Sequence, residues 1–200
     1  MKAKRVKLKS EPKSKSKSAD KPSEVNYVLW LAAIVVVTFI LFMPALSNEF
    51  TSWDDQEYIV KNSFIKSLSF KNISYIFSNP IANNYHPFTI LSLALNFSIS
   101  GLEPGSYYLV NILFHLINLI LVFIFIKKLG GNTNAALFSA LIFAVHPMHV
   151  ESVAWASERK DVLYTFFFLA GLITYLNFLK SKNNLYYVLT FMMALRSEEH

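Results

Sequence analysis

Between Tyr27 and Leu46 the chain carries no charged side chain, and the stretch VLWLAAIVVVTFILFMPAL within it is almost wholly apolar. As a helix it rises about 30 Å, the thickness of a bilayer's hydrocarbon core. A secretory signal peptide is the competing reading, because basic residues precede the stretch. A signal core runs only about 7–15 residues, however, and the basic region here is far longer than such a leader needs. A retained first transmembrane helix is expected. The 54% hydrophobic content exceeds that of ordinary soluble domains, and the apolar residues come in continuous runs. Membrane β-barrel strands alternate over about 10 residues, so the fold class expected is all-α, a polytopic membrane helix bundle.

Charge is distributed to match. From Met1 to Glu24 there are nine basic and three acidic residues, which accounts for the whole net charge of +6; the remainder of the 200-residue chain is neutral. A Lys/Ser tail with no apolar face is expected to be disordered over residues 1–26 and to hold that end in the cytoplasm. Contact with anionic lipid headgroups is its alternative role. Nucleic acid is not an expected partner, since no aromatic residue interleaves the tail's charges. The absence of Cys excludes disulfides and thiolate metal sites.

After the first span lies a mixed stretch, residues 47–103. Within it Phe64, Ile65, Leu68, Ile73, Ile76 and Phe77 recur at helical spacing among Lys and Ser, which predicts an amphipathic helix on the membrane surface. Residues 87–99 predict a further helix, opened by Pro87 and too short for a full span. Residues 107–126 form the second span, ending at Lys127 and Lys128. A short apolar run, 135–145, must start among polar residues or end below the surface, and His146-Pro147 stops it. Residues 162–179 form the next span, closed by Lys180 and Lys182, and another begins at Leu185. With the N-terminus inside, both lysine turns fall in the cytoplasm and both acidic loops outside. A full crossing by 87–99 would invert this, so that segment is expected to be interfacial.

Two loops hold the candidate chemistry. In the first, Asp54 can accept the N–H of Glu57 in a capping box, or the pair Asp54 and Asp55 can serve as general base or hold a divalent cation through oxygen ligands. In the second, His146 and His149 with Glu151 admit a metal site, but they lack the His-Glu-x-x-His pattern; neutral hydrogen-bonded histidines are the plainer reading. His115, inside a span, is expected to bond to a neighbouring helix. Glu158, Arg159, Lys160 and Asp161 can form mutual salt bridges, or Arg159 can clamp a lipid phosphate with its planar fork.

The stretches NYHPFTILSLALNF, YYLVNILFHLINLILVF and FAVHPMHVESVAWASERKDVL, with WDDQEYI after the first span, closely resemble bacterial membrane proteins akin to the transmembrane O-mannosyltransferases with tetratricopeptide repeats. The resemblance covers residues 50–179. It implies a C-type glycosyltransferase fold, of which this chain holds the first four to five transmembrane helices over residues 27–195, in a bacterial inner membrane. It also implies a polyprenyl-phosphate sugar as donor, a protein hydroxyl as acceptor and chemistry on the outer face, with no certain cofactor. Carried over by position, Asp54 or Asp55 matches the family's catalytic carboxylate, and His86, His146, His149, Glu151, Arg159 and Asp161 fall in the donor-phosphate or loop motifs. The family's repeats of about 34 residues do not occur here. A non-catalytic scaffold, binding partner proteins through such repeats, is the alternative function. Residues 196–200 are expected to be non-native, because one back-translation of Arg-Ser-Glu-Glu-His spells the start of a common sequencing adapter. The 200-residue chain alone is expected to be inactive.

Topology is directly testable because the chain has no native Cys. In intact cells an impermeant thiol reagent should label single cysteines at Ser52 and Ser152 but not one at Asn132. The reverse pattern would overturn the orientation.

Overall fold

The computed structural model describes residues 24–197. Residues 1–23 and 198–200, which carry most of the expected tail and of the expected non-native end, lie outside that range. The described residues form eight α-helices and no multi-residue strand: α1 Glu24–Phe42, α2 Phe70–Ser78, α3 Pro87–Ser100, α4 Pro104–Lys128, α5 Thr133–Val145, α6 His149–Ala154, α7 Arg159–Ser181 and α8 Asn184–Ser197. Three stretches are long and apolar enough to cross a membrane: Tyr27–Ser47, Pro104–Lys128 and Arg159–Ser181. The chain is an all-α membrane helix bundle.

α1 starts at Glu24, slightly before the expected boundary, and stops being α-helical at Phe42. Pro44 explains the stop: it has no N–H to give and its ring crowds the preceding turn, so the chain tightens into a 3₁₀ segment, Met43–Ser47. The end of that segment lies against the start of α4. A Cβ on Gly105 would come within 2.7 Å of the Leu46 carbonyl oxygen, so only glycine permits the approach.

Two hydrogen bonds define the ends of the bundle. Lys128 Nζ donates to Asn177 Oδ1 at 2.6 Å, bringing the C-terminal ends of α4 and α7 together. Ser157 N donates to Asp55 Oδ1 at 2.8 Å, bringing the two acidic loops together. The lysine turns thus share one end and the acidic loops share the other.

α3 does not leave the loop end. Just before it, Asn84 donates to the Tyr58 hydroxyl at 2.8 Å; just after it, the Gly101 carbonyl accepts the Tyr107 hydroxyl at 2.8 Å. Tyr58 and Tyr107 belong to one buried cluster with Ile59, Ile65, Ile76, Leu93 and Tyr108. α2 differs from expectation. Its apolar spacing is real, but Ile76 is buried in this cluster and Phe77 packs on Phe88, with ring centroids 5.0 Å apart. The face expected to meet lipid meets protein.

α5 is the short connection back to the loop end. Its 13 residues rise about 20 Å, well under a hydrocarbon core. Ala136, Ala140 and Ala144, one per turn, are fully buried against α4 and pack with Leu119 and Phe123. Small residues at this spacing let two helix backbones approach closely. The helix ends level with the middle of α4, where the His115 imidazole Nε2 bonds to the Ala144 carbonyl at 3.1 Å. α7 begins at a similar level, the Val162 carbonyl accepting Asn118 Nδ2 at 2.9 Å. The second loop is therefore sunk into the bundle, while the first turn of α4 stands among first-loop residues.

Ala140→Leu should drive a branched side chain into the α4–α5 contact and cost about 1–3 kcal/mol. Thermal unfolding of the detergent-purified chain should show a clear fall in Tm, whereas Phe138→Leu, on the exposed side of α5, should be close to neutral. Equal effects of the two would contradict this packing.

Candidate functional site at the loop end

The two adjacent aspartates have opposite surroundings. Asp55 is fully buried, and its carboxylate accepts three hydrogen bonds: Thr51 N at 2.8 Å, Thr51 Oγ1 at 3.1 Å and Ser157 N at 2.8 Å. Three donors compensate the desolvated charge and pin the first loop to the second. Asp54 is only half-buried. The capping box with Glu57 does not form; the turn after the pair runs into a π-helical segment, Gln56–Val60, with no side-chain cap.

Asp54 faces titratable groups of both loops. Lys160 pairs with Glu158 at 3.0 Å, and Asp161 Oδ2 accepts the Ser152 hydroxyl at 2.9 Å. Burial holds the Glu158 carboxyl above its ordinary range; Asp161 and Asp54 push the same way and Lys160 opposes. The Tyr58 hydroxyl is raised chiefly by burial, against the Asn84 hydrogen bond and Lys160. The result is a partly desolvated group of Glu158, Asp161 and Tyr58 around the Lys160 ammonium, with Asp54 of the first loop acting on Glu158 and Tyr58.

Arg159 differs from expectation. It is fully buried and takes no part in the loop's ion pair. Nε donates to Asn111 Oδ1 at 2.9 Å, Nη1 to the Ser92 carbonyl at 3.2 Å and hydroxyl at 3.4 Å, and Nη2 to Asn96 Oδ1 at 2.8 Å and the Tyr107 carbonyl at 2.9 Å. Its guanidinium carbon also sits 5.5 Å from the Tyr107 ring centroid. With its donors directed to neutral acceptors inside the bundle, it joins α3, α4 and α7 and is not presented as a phosphate clamp.

The histidines form a separate group. His149 lies 5.3 Å from His115 and 6.2 Å from His146 by ring centroids, and 4.4 Å from Phe143. Burial, then His146, lowers the His149 imidazole below its usual value, so it is neutral at physiological pH. His146 is exposed and its Nδ1 accepts Met148 N at 3.3 Å. Glu151 is exposed on α6, and His86 is buried where it caps α3, its carbonyl accepting Ile90 N at 3.0 Å. Among the described residues no three His, Asp or Glu side chains converge on a point that suits a metal ion. Sequence reasoning missed Tyr58, Asn84, Asn111 and Ser157. The bond from Asp55 to Ser157 spans 102 residues, and no local pattern announces it.

Three relatives illustrate the similarity. Human protein O-mannosyl-transferase TMTC4 is 31% identical over 185 residues, covering 81% of this chain and 25% of the relative. Human protein O-mannosyl-transferase TMTC3 is 37% identical over 92 residues, 46% of this chain and 10% of the relative. Drosophila melanogaster protein O-mannosyl-transferase Tmtc1 is 27% identical over 173 residues, 82% and 20% respectively. The chain resembles the protein O-mannosyl-transferases. It spans a quarter or less of the length of these relatives. No family profile matches the chain, and no solved structure does.

The aspartates should separate in stability. Asp55→Ala leaves the buried Ser157 N–H without its acceptor and should cost about 2 kcal/mol or more, whereas Asp54→Ala should stay within about 0.5 kcal/mol. Thermal unfolding of the two variants of the 200-residue chain gives the comparison. A larger loss for Asp54 would contradict the assignment.

Proposed function

We propose that the chain is the N-terminal part of an integral membrane glycosyltransferase that passes a mannose-like sugar from a polyprenyl-phosphate donor to Ser or Thr hydroxyls of an acceptor protein. The relatives' names support the transferase class, and one observation supports its placement: the Asp55 bridge ties the first loop to the second, so that the half-buried Asp54 acts electrostatically on Glu158 at the loop end. In this reading the loop end is the outer face of a bacterial inner membrane and the lysine turns are cytoplasmic.

The chemistry is a single displacement. Asp54 accepts the proton of the acceptor hydroxyl as its oxygen attacks the anomeric carbon; the bond from that carbon to the phosphate oxygen breaks, and the lipid phosphate departs with the electron pair. Attack opposite the leaving group inverts the anomeric centre. In this reading Lys160 is the cation that favours the leaving phosphate, since the donors of Arg159 are committed inside the bundle. Asp55 serves as a positioning residue through Thr51 and Ser157.

In a full-length parent, Asp54→Asn keeps the side chain's size and removes its basic charge, so transfer should fall by at least about 10²-fold at matched membrane expression. Asp55→Asn should lower both stability and transfer, because the amide replaces one acceptor oxygen with a donor group facing N–H and O–H. Near-parental transfer by both variants would eliminate the catalytic role of this loop.

A further inference from the structure

An open groove lies between the two loops, next to Thr51, whose N–H and hydroxyl bond Asp55. It has a volume of about 540 Å³ and is lined by Thr51, Ser52, Trp53 and Trp155. We propose that this groove is a hexopyranose subsite in which the sugar ring stacks on Trp53 and Trp155; the assignment of that sugar to the lipid-linked donor rests on the transferase reading above.

Three observations converge on a sugar ring. The first is surface chemistry. Trp53 is 73% exposed between Ser52 and Asp54, so a large apolar plane stands in a polar setting. A pyranose matches it, with an apolar C–H face for the electron-rich indole face and a rim of hydroxyls for Thr51 and Ser52. The second is unmet hydrogen-bonding capacity. The Trp155 indole Nε1–H and the Ser157 hydroxyl oxygen are both buried without a hydrogen-bond partner. An unpaired buried polar group costs free energy and calls for a physical reason, and small reorientations on binding can turn such groups to a sugar's hydroxyls. The third is preorganisation. Asp55 holds Thr51 on one wall and Ser157, two residues beyond Trp155, on the other; Asn111 donates to the Trp155 carbonyl at 2.8 Å. Both walls are tied before any ligand arrives, which limits the ordering cost of binding.

The other occupant for exposed tryptophans near a membrane is lipid. Trp30 illustrates that case, 65% exposed on the apolar surface of α1. Trp53 instead shares its groove with Thr51 and Ser52, whose hydroxyls make the setting polar. Asp54 is the chain neighbour of Trp53.

The chain's three tryptophans are Trp30, Trp53 and Trp155, so in a Trp30→Phe background the indole emission reports on the groove alone. With the 200-residue chain in lipid nanodiscs, methyl α-mannopyranoside should produce a saturable emission change. Trp155→Leu should weaken it by about tenfold or more, and Trp155→Phe, which keeps an aromatic plane, should restore much of it. A response that fails to saturate, or that Trp155→Leu leaves unchanged, would overturn the proposal. So would quenching of Trp53 by brominated acyl chains as strong as that of Trp30, which would identify lipid as the occupant. In a full-length parent, Trp53→Leu should raise KM for the lipid-linked sugar more than it lowers kcat. If Asp54→Asn abolishes transfer while Trp53→Leu leaves KM unaltered, the sugar subsite fails and the transferase reading stands. Saturable sugar binding with transfer unaffected by either Asp→Asn change keeps the subsite and removes the catalytic role of the aspartates.

Discussion

A guanidinium carries five N–H groups and a permanent charge, and burying one in a helix bundle requires acceptors in matching directions. Arg159 meets that requirement with atoms from Ser92, Asn96, Tyr107 and Asn111, which lie on α3 and α4. Much of the loop end depends on this arrangement. It fixes the head of α7 against α3, keeping that helix beside the loops. Asn111 then carries the constraint onward, accepting from Arg159 and donating to the Trp155 carbonyl. One buried cation thereby sets the height of the second loop.

That height has a physical counterpart in α5. A helix of 13 residues cannot cross a full hydrocarbon core, and it ends midway along α4 where His115 meets Ala144. Irregular backbone at such a depth is tolerated only when protein or a water-lined cavity surrounds it. Here the His-Pro segment is followed by buried Val153, Ala156 and Ser157, which connect the short helix to α7 inside the bundle. Three alanines on α5 make the close approach to α4 sterically feasible.

The Asp-Asp pair shows how neighbouring identical residues acquire different roles. Successive helical positions point about 100° apart, so one carboxylate turned into the protein leaves the other turned away. Asp55 is satisfied by three donors and acts as a tie, while Asp54 shares space with Glu158 and Tyr58. Burial above all, with Asp161 and Asp54 adding to it, raises the proton affinity of Glu158, and the ion pair with Lys160 opposes the rise.

Much of the fold was legible in the sequence. Continuous apolar runs identify the helices of Tyr27–Ser47, Pro104–Lys128 and Arg159–Ser181, because a helix must satisfy its own backbone in lipid and needs a fixed length of apolar residues. Lysines at two helix ends group the loops by side, and helical spacing around Ile73 and Ile76 reveals α2. What that spacing leaves open is the partner, since an apolar face buries equally well against lipid or protein; packing on Phe88 and Ile65 decided it. The candidate residues followed the same division. Asp54, Asp55, Arg159 and Asp161 are conspicuous as charges beside spans, yet only tertiary contacts assign Asp55 to Ser157 and Arg159 to Asn96 and Asn111. Local sequence determines where helices begin and end through short-range propensities and solvation. Which charge is buried, and with whom, is decided by neighbours tens of residues away, because desolvation is offset only by hydrogen bonds that the completed fold supplies.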